Sequence, residues 1–280
     1  AIMLSLSTGL VATFLSFIAS FILVVTLSSF APMHHLRSIM GPLIAVPHST
    51  IAIGILFLLA PSGWLIRLVS PELTGFVRPP ATGLLPDLEQ HGLIIALLAK
   101  EIPFLCLVSL AALSTQPARQ IIAIGRSLGY SKDAAMWLLV MPDIYRLIRL
   151  PLAAVLVFSV SVVDMSLVLG PGLPPPLAVM VVHGFEDPDL LARLPASAGA
   201  LLQGGLAVLA LAIWRAGEVL ISAILTGWRR RGHRTRLPSM ARHILSGFAV
   251  LPMLAGLLGL IAALLWSFTT SWFFPDALPG

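Results

Sequence analysis

Residues 123–142 read AIGRSLGYSKDAAMWLLVMP and lie between two apolar runs of membrane-spanning length. Arg119, Arg126, Lys132, Arg146 and Arg149 surround this stretch. Gly129 can take a positive φ at no steric cost, so two helices can meet there at an angle. Ser131 is a good N-cap for the second arm, and Asp133 suits its first turn. Pro142 lacks an amide hydrogen and is expected to disturb the helix just before the chain re-enters an apolar run. The pattern predicts a short, bent, rigid and cationic knob between two membrane spans. A rigid knob transmits force where a floppy loop cannot, so this one is a candidate docking element.

Composition sets the class. Of the 280 residues, 58% are hydrophobic and only 10% charged, and the mean hydropathy is +0.99. Soluble domains carry about 25% charged residues. A chain this apolar cannot hide its surface inside itself, so the bilayer is its solvent and the expected fold is an all-α polytopic membrane protein. The formal charge of +5 would suggest nucleic acid in a soluble protein. Here the cations cluster in short loops, which reads as membrane topology, and no nucleic-acid partner is expected. The single cysteine, Cys106, lies in an apolar run and gives neither a disulfide framework nor a zinc pattern.

Six spans are expected at about 4–30, 40–60, 91–113, 148–170, 198–226 and 245–268, each near the ~20 residues needed to cross the hydrocarbon. Loops 31–39, 114–149 and 227–244 hold twelve Lys and Arg, against three in loops 61–90 and 171–197. This asymmetry assigns the first set to the cytoplasm. The chain then starts outside, which predicts a further span before Ala1, and residues 274–280 follow the last span with no closing element, as in an excerpt. The stripe Ala12, Ser16, Ser20 on the first span suits close helix packing. Residues around Arg67 suggest a short interfacial helix, and 177–185 a re-entrant or interfacial one. Glu186, Asp187 and Asp189 form an acidic rim that could steer a cation or a partner. The basic run 227–243 is a positive-inside linker, with anionic lipid as a possible contact.

Charges also fall inside the spans. Arg215 and Glu218, three apart, can pair on one helix face. Lys100 and Glu101 are adjacent and cannot face the same way. Asp164 on the fourth span could meet Lys100 across helices. A structural pair is preferred, with a translocation path formed by Lys100, Glu101 and Asp164 close behind. The seven histidines show no metal-ligand spacing, and no P-loop or nucleophile–base arrangement stands out, so neither a metal nor a catalytic residue is assigned.

Gly129, then Leu139, then Met141-Pro142 resembles the EAA loop of binding-protein-dependent ABC importer permeases. That loop reads Glu-Ala-Ala, three residues, Gly, nine residues, Ile, one residue, Leu-Pro. Gly129 and Pro142 match as identities, and Leu139 and Met141 are apolar stand-ins. The Glu-Ala-Ala start falls on Ala123, Ile124 and Gly125, so its glutamate is absent. The order of spans, the pair Pro103-Phe104 before the loop and the stretch 164–170 after it extend the resemblance over most of the chain.

The resemblance implies a type I ABC importer transmembrane domain in a bacterial inner membrane. It implies cytoplasmic ATPase subunits that bind the ATP, so the chain needs no cofactor and is not itself an enzyme. An extracytoplasmic solute-binding protein would deliver a small solute or ion. Residues 1–226 match a five-span core with a coupling loop at 118–147, and 227–243 a linker. Residues 244–280 look like the first span of a second permease half, as in the fused thiamine- and ferric-iron-type permeases. Ala123, Arg126, Ser127, Gly129, Tyr130, Lys132, Leu139 and Pro142 are the coupling residues this implies. The alternatives are a secondary transporter with Lys100, Glu101 and Asp164 as an ion relay, and a membrane-embedded enzyme, which would need catalytic side chains clustered at one depth.

Overall fold

The computed structural model describes residues 1–27, 40–81, 88–230 and 239–278. Among the described residues the fold is all-α, without strands. Six helices are long and apolar enough to cross a membrane. Loop 31–39 with Arg37, and most of the basic linker with Arg231, Arg234 and Arg236, lie outside the described residues.

Helix α1 (Ile2–Leu27) runs uninterrupted. A helical turn at 40–45 ends before Pro47, and α2 (His48–Leu59) starts after it. The second expected span, at 40–60, is therefore broken. A turn then leads to α3 (Trp64–Val69), and α4 (Leu88–Ser114) crosses with Pro103 inside it. The knob contains α5 (Ala118–Ser127) and α6 (Lys132–Ala135). A π-helical turn (Met136–Val140) then joins α6 to α7 (Met141–Ser161). The fourth span is thus Lys132–Ser161, which starts well before the expected 148.

That span stops short of 170. Ser161 turns its hydroxyl back to the carbonyl four residues earlier, that of Val157. Such back-bonding weakens and bends a helix, and β-branched Val160, Val162 and Val163 add strain. The chain extends at Val162 and restarts as α8 (Asp164–Leu169). Helix α9 (Leu177–Glu186) follows and packs on the start of α10 (Arg193–Arg230). The acidic rim serves locally: Asp187 and Asp189 accept backbone amides of the turn that leads into α10. Helix α11 (Ser239–Ser267) closes the described chain.

Helix α1 is central and packs on α4 and α7. Its Thr13, Ser16 and Ser20 are fully buried there, together with Ala12. Helix α11 packs in the same bundle, against α2, α4 and α1. The α2–α11 crossing is backbone on backbone: a Cβ built on Gly54 would lie 2.7 Å from the carbonyl carbon of Gly259, and the reverse also holds. Without a hydrophobic drive between helices in lipid, such close approach supplies the packing.

Beyond α11 the chain folds back over α3. Arg67, expected at an interface, is buried, and its guanidinium donates to the carbonyls of Ser62 (2.8 Å), Phe273 (2.7 Å) and Trp272 (3.3 Å). It also stacks over Trp272 at 5.1 Å and Phe274 at 5.5 Å. Trp64 donates its indole N–H to the Ala277 carbonyl at 3.1 Å.

The α2–α11 contact predicts that Gly259→Ala costs about 1–3 kcal/mol, because neither backbone has room to yield. Gly247→Ala, inside the same helix where nothing lies within 4 Å, is neutral or stabilising by up to about 1 kcal/mol. Thermal unfolding of the two purified variants in detergent checks this.

Candidate functional site

The knob is built by its capping. Gly129 has φ +87°. Its amide bonds the Arg126 carbonyl at 2.9 Å, and the Tyr130 amide reaches back to the Gly125 carbonyl at 3.0 Å. This is a Schellman motif, the two-bond closure that ends a helix at a left-handed residue. Ser131 then caps the second arm, its hydroxyl accepting the Ala134 amide at 3.2 Å. The two arms cross at Gly125, where an added Cβ would lie 2.9 Å from both the Ala135 Cβ and a Leu139 methyl. Gly125 is a requirement the sequence reading passed over, and its signal was the glycine four residues before Gly129.

The expected coupling residues divide. Ala123, Arg126, Ser127, Gly129 and Lys132 are exposed on the knob, and Tyr130 is half-buried beside them. Ile124 and Leu128 are exposed too, one turn apart, so the cationic tip carries an apolar spot. Leu139 and Pro142 lie behind it, at the π-helical turn. The Met141 amide bonds the Met136 carbonyl, five residues back. This wider turn lies directly before Pro142, where the sequence predicts a disturbed helix, and the chain continues through it as α7.

Lys100 and Asp164 do not pair. Lys100 Nζ donates to the carbonyls of Leu43 (2.8 Å), Ile44 (2.9 Å) and Val46 (2.6 Å). In an unbroken helix the Leu43 carbonyl would bond the amide of residue 47, and Pro47 has none. The ammonium therefore replaces, inside the bundle, the amides that the break removes. Asp164 sits exposed at the start of α8 and, among the described residues, forms no ion pair. Glu101, next to Lys100 but facing elsewhere, is buried between α1 and α7. It accepts the hydroxyls of Ser16 (2.8 Å) and Ser159, and Thr13 donates to Ser159 at 3.4 Å.

A second charged cluster joins α7 to α10. Arg215 and Glu218 pair as expected, and Arg149 joins them from α7, 3.0 Å from the same Glu218 oxygen. The other Glu218 oxygen accepts the Tyr145 hydroxyl, which itself accepts the Trp214 indole N–H at 3.1 Å. Arg146 pairs separately with Asp143 at 3.0 Å. Arg146 and Arg149, expected in the cytoplasmic loop, thus lie within a membrane-length helix.

Their depth follows from α1. Phe17, a little past the middle of that helix, packs edge-on against Tyr145 at 5.4 Å and Trp214 at 6.1 Å. Its neighbour Ser16 holds Glu101, the midpoint of α4. The C-terminal end of α1 is ten residues further on, about 15 Å away at helical rise. Both charged clusters therefore sit level with the middle of α1.

The carbonyl-capping role predicts that Lys100→Met destabilises the protein by about 3 kcal/mol, since three carbonyls lose a charged donor. Asp164→Asn changes stability by less than about 0.5 kcal/mol, as expected for an exposed side chain outside any salt bridge. Melting curves in detergent separate this outcome from a Lys100–Asp164 pair, in which both variants would suffer alike.

No family model and no solved structure matches the chain. Its sequence is similar to that of the inner membrane ABC transporter permease protein YnjC of Escherichia coli K12. The two are 32% identical over 189 residues, which covers 67% of this chain and 34% of the relative. The chain is thus related to an ABC transporter permease and spans about a third of that relative's length.

Proposed function

We propose that the chain is part of the inner-membrane permease of an ATP-driven, binding-protein-dependent importer of a small solute or ion. Residues 118–147 would be the element that docks on a cytoplasmic ATPase subunit. The observation that carries this reading is the Schellman-closed knob, a rigid and exposed cationic tip continuous with a membrane span. A movement imposed on such a tip passes into α7 without being absorbed by a flexible loop. Similarity to a permease over two thirds of the chain supports the same reading.

In this mechanism an external binding protein delivers solute to the outer face. ATP bound by the partner subunits closes them and moves the knob. The spans then alternate between inward- and outward-open arrangements. The ATP chemistry stays on the partner, so this chain needs no cofactor. The second permease half would follow in the same full-length chain, with 227–243 as the linker and α11 as its first span. The ion-relay alternative loses support from Lys100, whose three hydrogen bonds go to backbone carbonyls.

The test is Gly129→Val in the full transporter. A β-branched residue fits poorly at positive φ, at a cost of a few kcal/mol. ATP-driven uptake is expected to fall by about tenfold or more, with the membrane spans still folded. Gly129→Asn, which tolerates the left-handed region, restores most of it. Normal uptake per ATP hydrolysed in the valine variant overturns the coupling role.

A further inference from the structure

Where α1, α4 and α7 meet, the bundle holds an acid without a cation. Glu101 is buried, and among the described residues its partners are hydroxyls alone, Ser16 on α1 and Ser159 on α7, both buried with it. Lys100 is adjacent in sequence but directed away, to the carbonyls of Leu43, Ile44 and Val46. No other packed helix supplies a counter-charge. Helix α1 carries no titratable side chain. On α7, Asp143 pairs with Arg146, and Tyr145 and Arg149 are bound to Glu218. His48 of α2 and Asp164 of α8 interact electrostatically with Lys100. Helix α11 has titratable residues only near its start, Arg242 and His243. An isolated carboxylate is costly to bury, and such a group ordinarily loses its charge by taking up a proton.

Counting hydrogens leads to the same state. The Ser159 hydroxyl has one hydrogen but two oxygens within reach, one of Glu101 and the Val155 carbonyl at 2.7 Å. Thr13 points its own hydroxyl at Ser159, 3.4 Å away, and so occupies one lone pair. With Glu101 ionised, the Ser159 hydrogen goes to the carboxylate. The Val155 oxygen then faces the Ser159 oxygen at 2.7 Å with no hydrogen between them. With a proton on Glu101, the carboxyl donates to Ser159 and Ser159 donates to Val155. Both contacts become hydrogen bonds, and Ser16 still donates to the second carboxyl oxygen at 2.8 Å.

We propose that Glu101 is a proton-binding site: in the folded protein it stands as a neutral carboxylic acid, and its proton latches α4 to α7 through Ser159. The direction of the Glu101–Ser159 bond is then the reverse of that in the ionised form. Removing the proton leaves an unpaired charge among α1, α4 and α7 and takes one hydrogen out of the chain from Glu101 to Val155, so the contact of α4 with α7 loosens. The latch belongs to the bundle itself and stands whether or not the chain is a permease.

The test uses the full-length chain in detergent micelles. Infrared spectra at neutral pH should show a protonated-carboxyl band that disappears in Glu101→Gln and moves in Glu101→Asp. An exposed glutamate is ionised at that pH and gives no such band. Equilibrium unfolding supplies a second readout. Once unfolded, Glu101 is exposed and gives up its proton at neutral pH, so the native state holds one proton more than the unfolded state. Stability therefore falls as pH rises above neutral, with the unfolding constant growing about tenfold per pH unit until Glu101 ionises in the folded state as well. Glu101→Gln has no proton to lose, so this part of the slope is absent from it. The remaining titratable groups are common to both proteins and cancel in the difference. A carboxyl band that is the same in the unaltered chain and the glutamine variant overturns the proposal, as does an equal pH slope in the two. If the glutamine variant does not fold, Glu101→Asp decides: a band that stays unmoved overturns the proposal, and a moved one supports it.

Discussion

A carbonyl in hydrocarbon has no water to bond, and the bundle is arranged around that constraint. Pro47 breaks the second span and strands carbonyls deep in the protein. One ammonium group, Lys100 on α4, collects three of them. The break would be expensive without it, because each unsatisfied carbonyl carries its own desolvation cost. Lys100 is in turn tolerable at that depth only because the carbonyls surround it. Its neighbour Glu101 is treated in the same way, by hydroxyls of α1 and α7. Helices α1, α4 and α7 and the turn at 40–46 are thus fixed relative to one another by adjacent residues of one helix.

The second charged cluster follows another rule. Buried Lys100 and Glu101 have partners that absorb their hydrogen-bonding capacity. Arg149 and Arg215 share one oxygen of one carboxylate and stay partly exposed. The same bundle therefore contains charge that holds the fold and charge left over at its surface. The distinction comes from the number of donors each group still has unspent.

Much of the fold was legible because hydropathy reports directly on a bilayer solvent. Six spans, the knob, the left-handed Gly129, the Ser131 cap and the Arg215–Glu218 pair all rest on local rules that operate within a turn or two. What was not legible depends on register between distant segments. Nothing near Lys100 announces that its partners are carbonyls some fifty residues earlier. Arg67 seemed interfacial because its stacking partners, Trp272 and Phe274, come from the far end of the chain. Arg149 was counted with a loop because its helix begins at Lys132, and hydropathy alone did not extend the span through a segment containing Pro142 and Asp143.

The π-helical turn at Met136–Val140 has a further consequence, best stated as a phase. Each residue advances an α-helix by about 100° around its axis, and a π-helical turn takes in one residue more than an α-turn does. Everything after Val140 is therefore rotated by roughly that angle relative to an unbroken α-helix grown from Ser131. The direction in which the tip at Gly129 points, and the direction in which Arg149 points, are set by a single surplus residue between them. The turn works as an angular offset between the tip at Gly129 and the long helix that follows it.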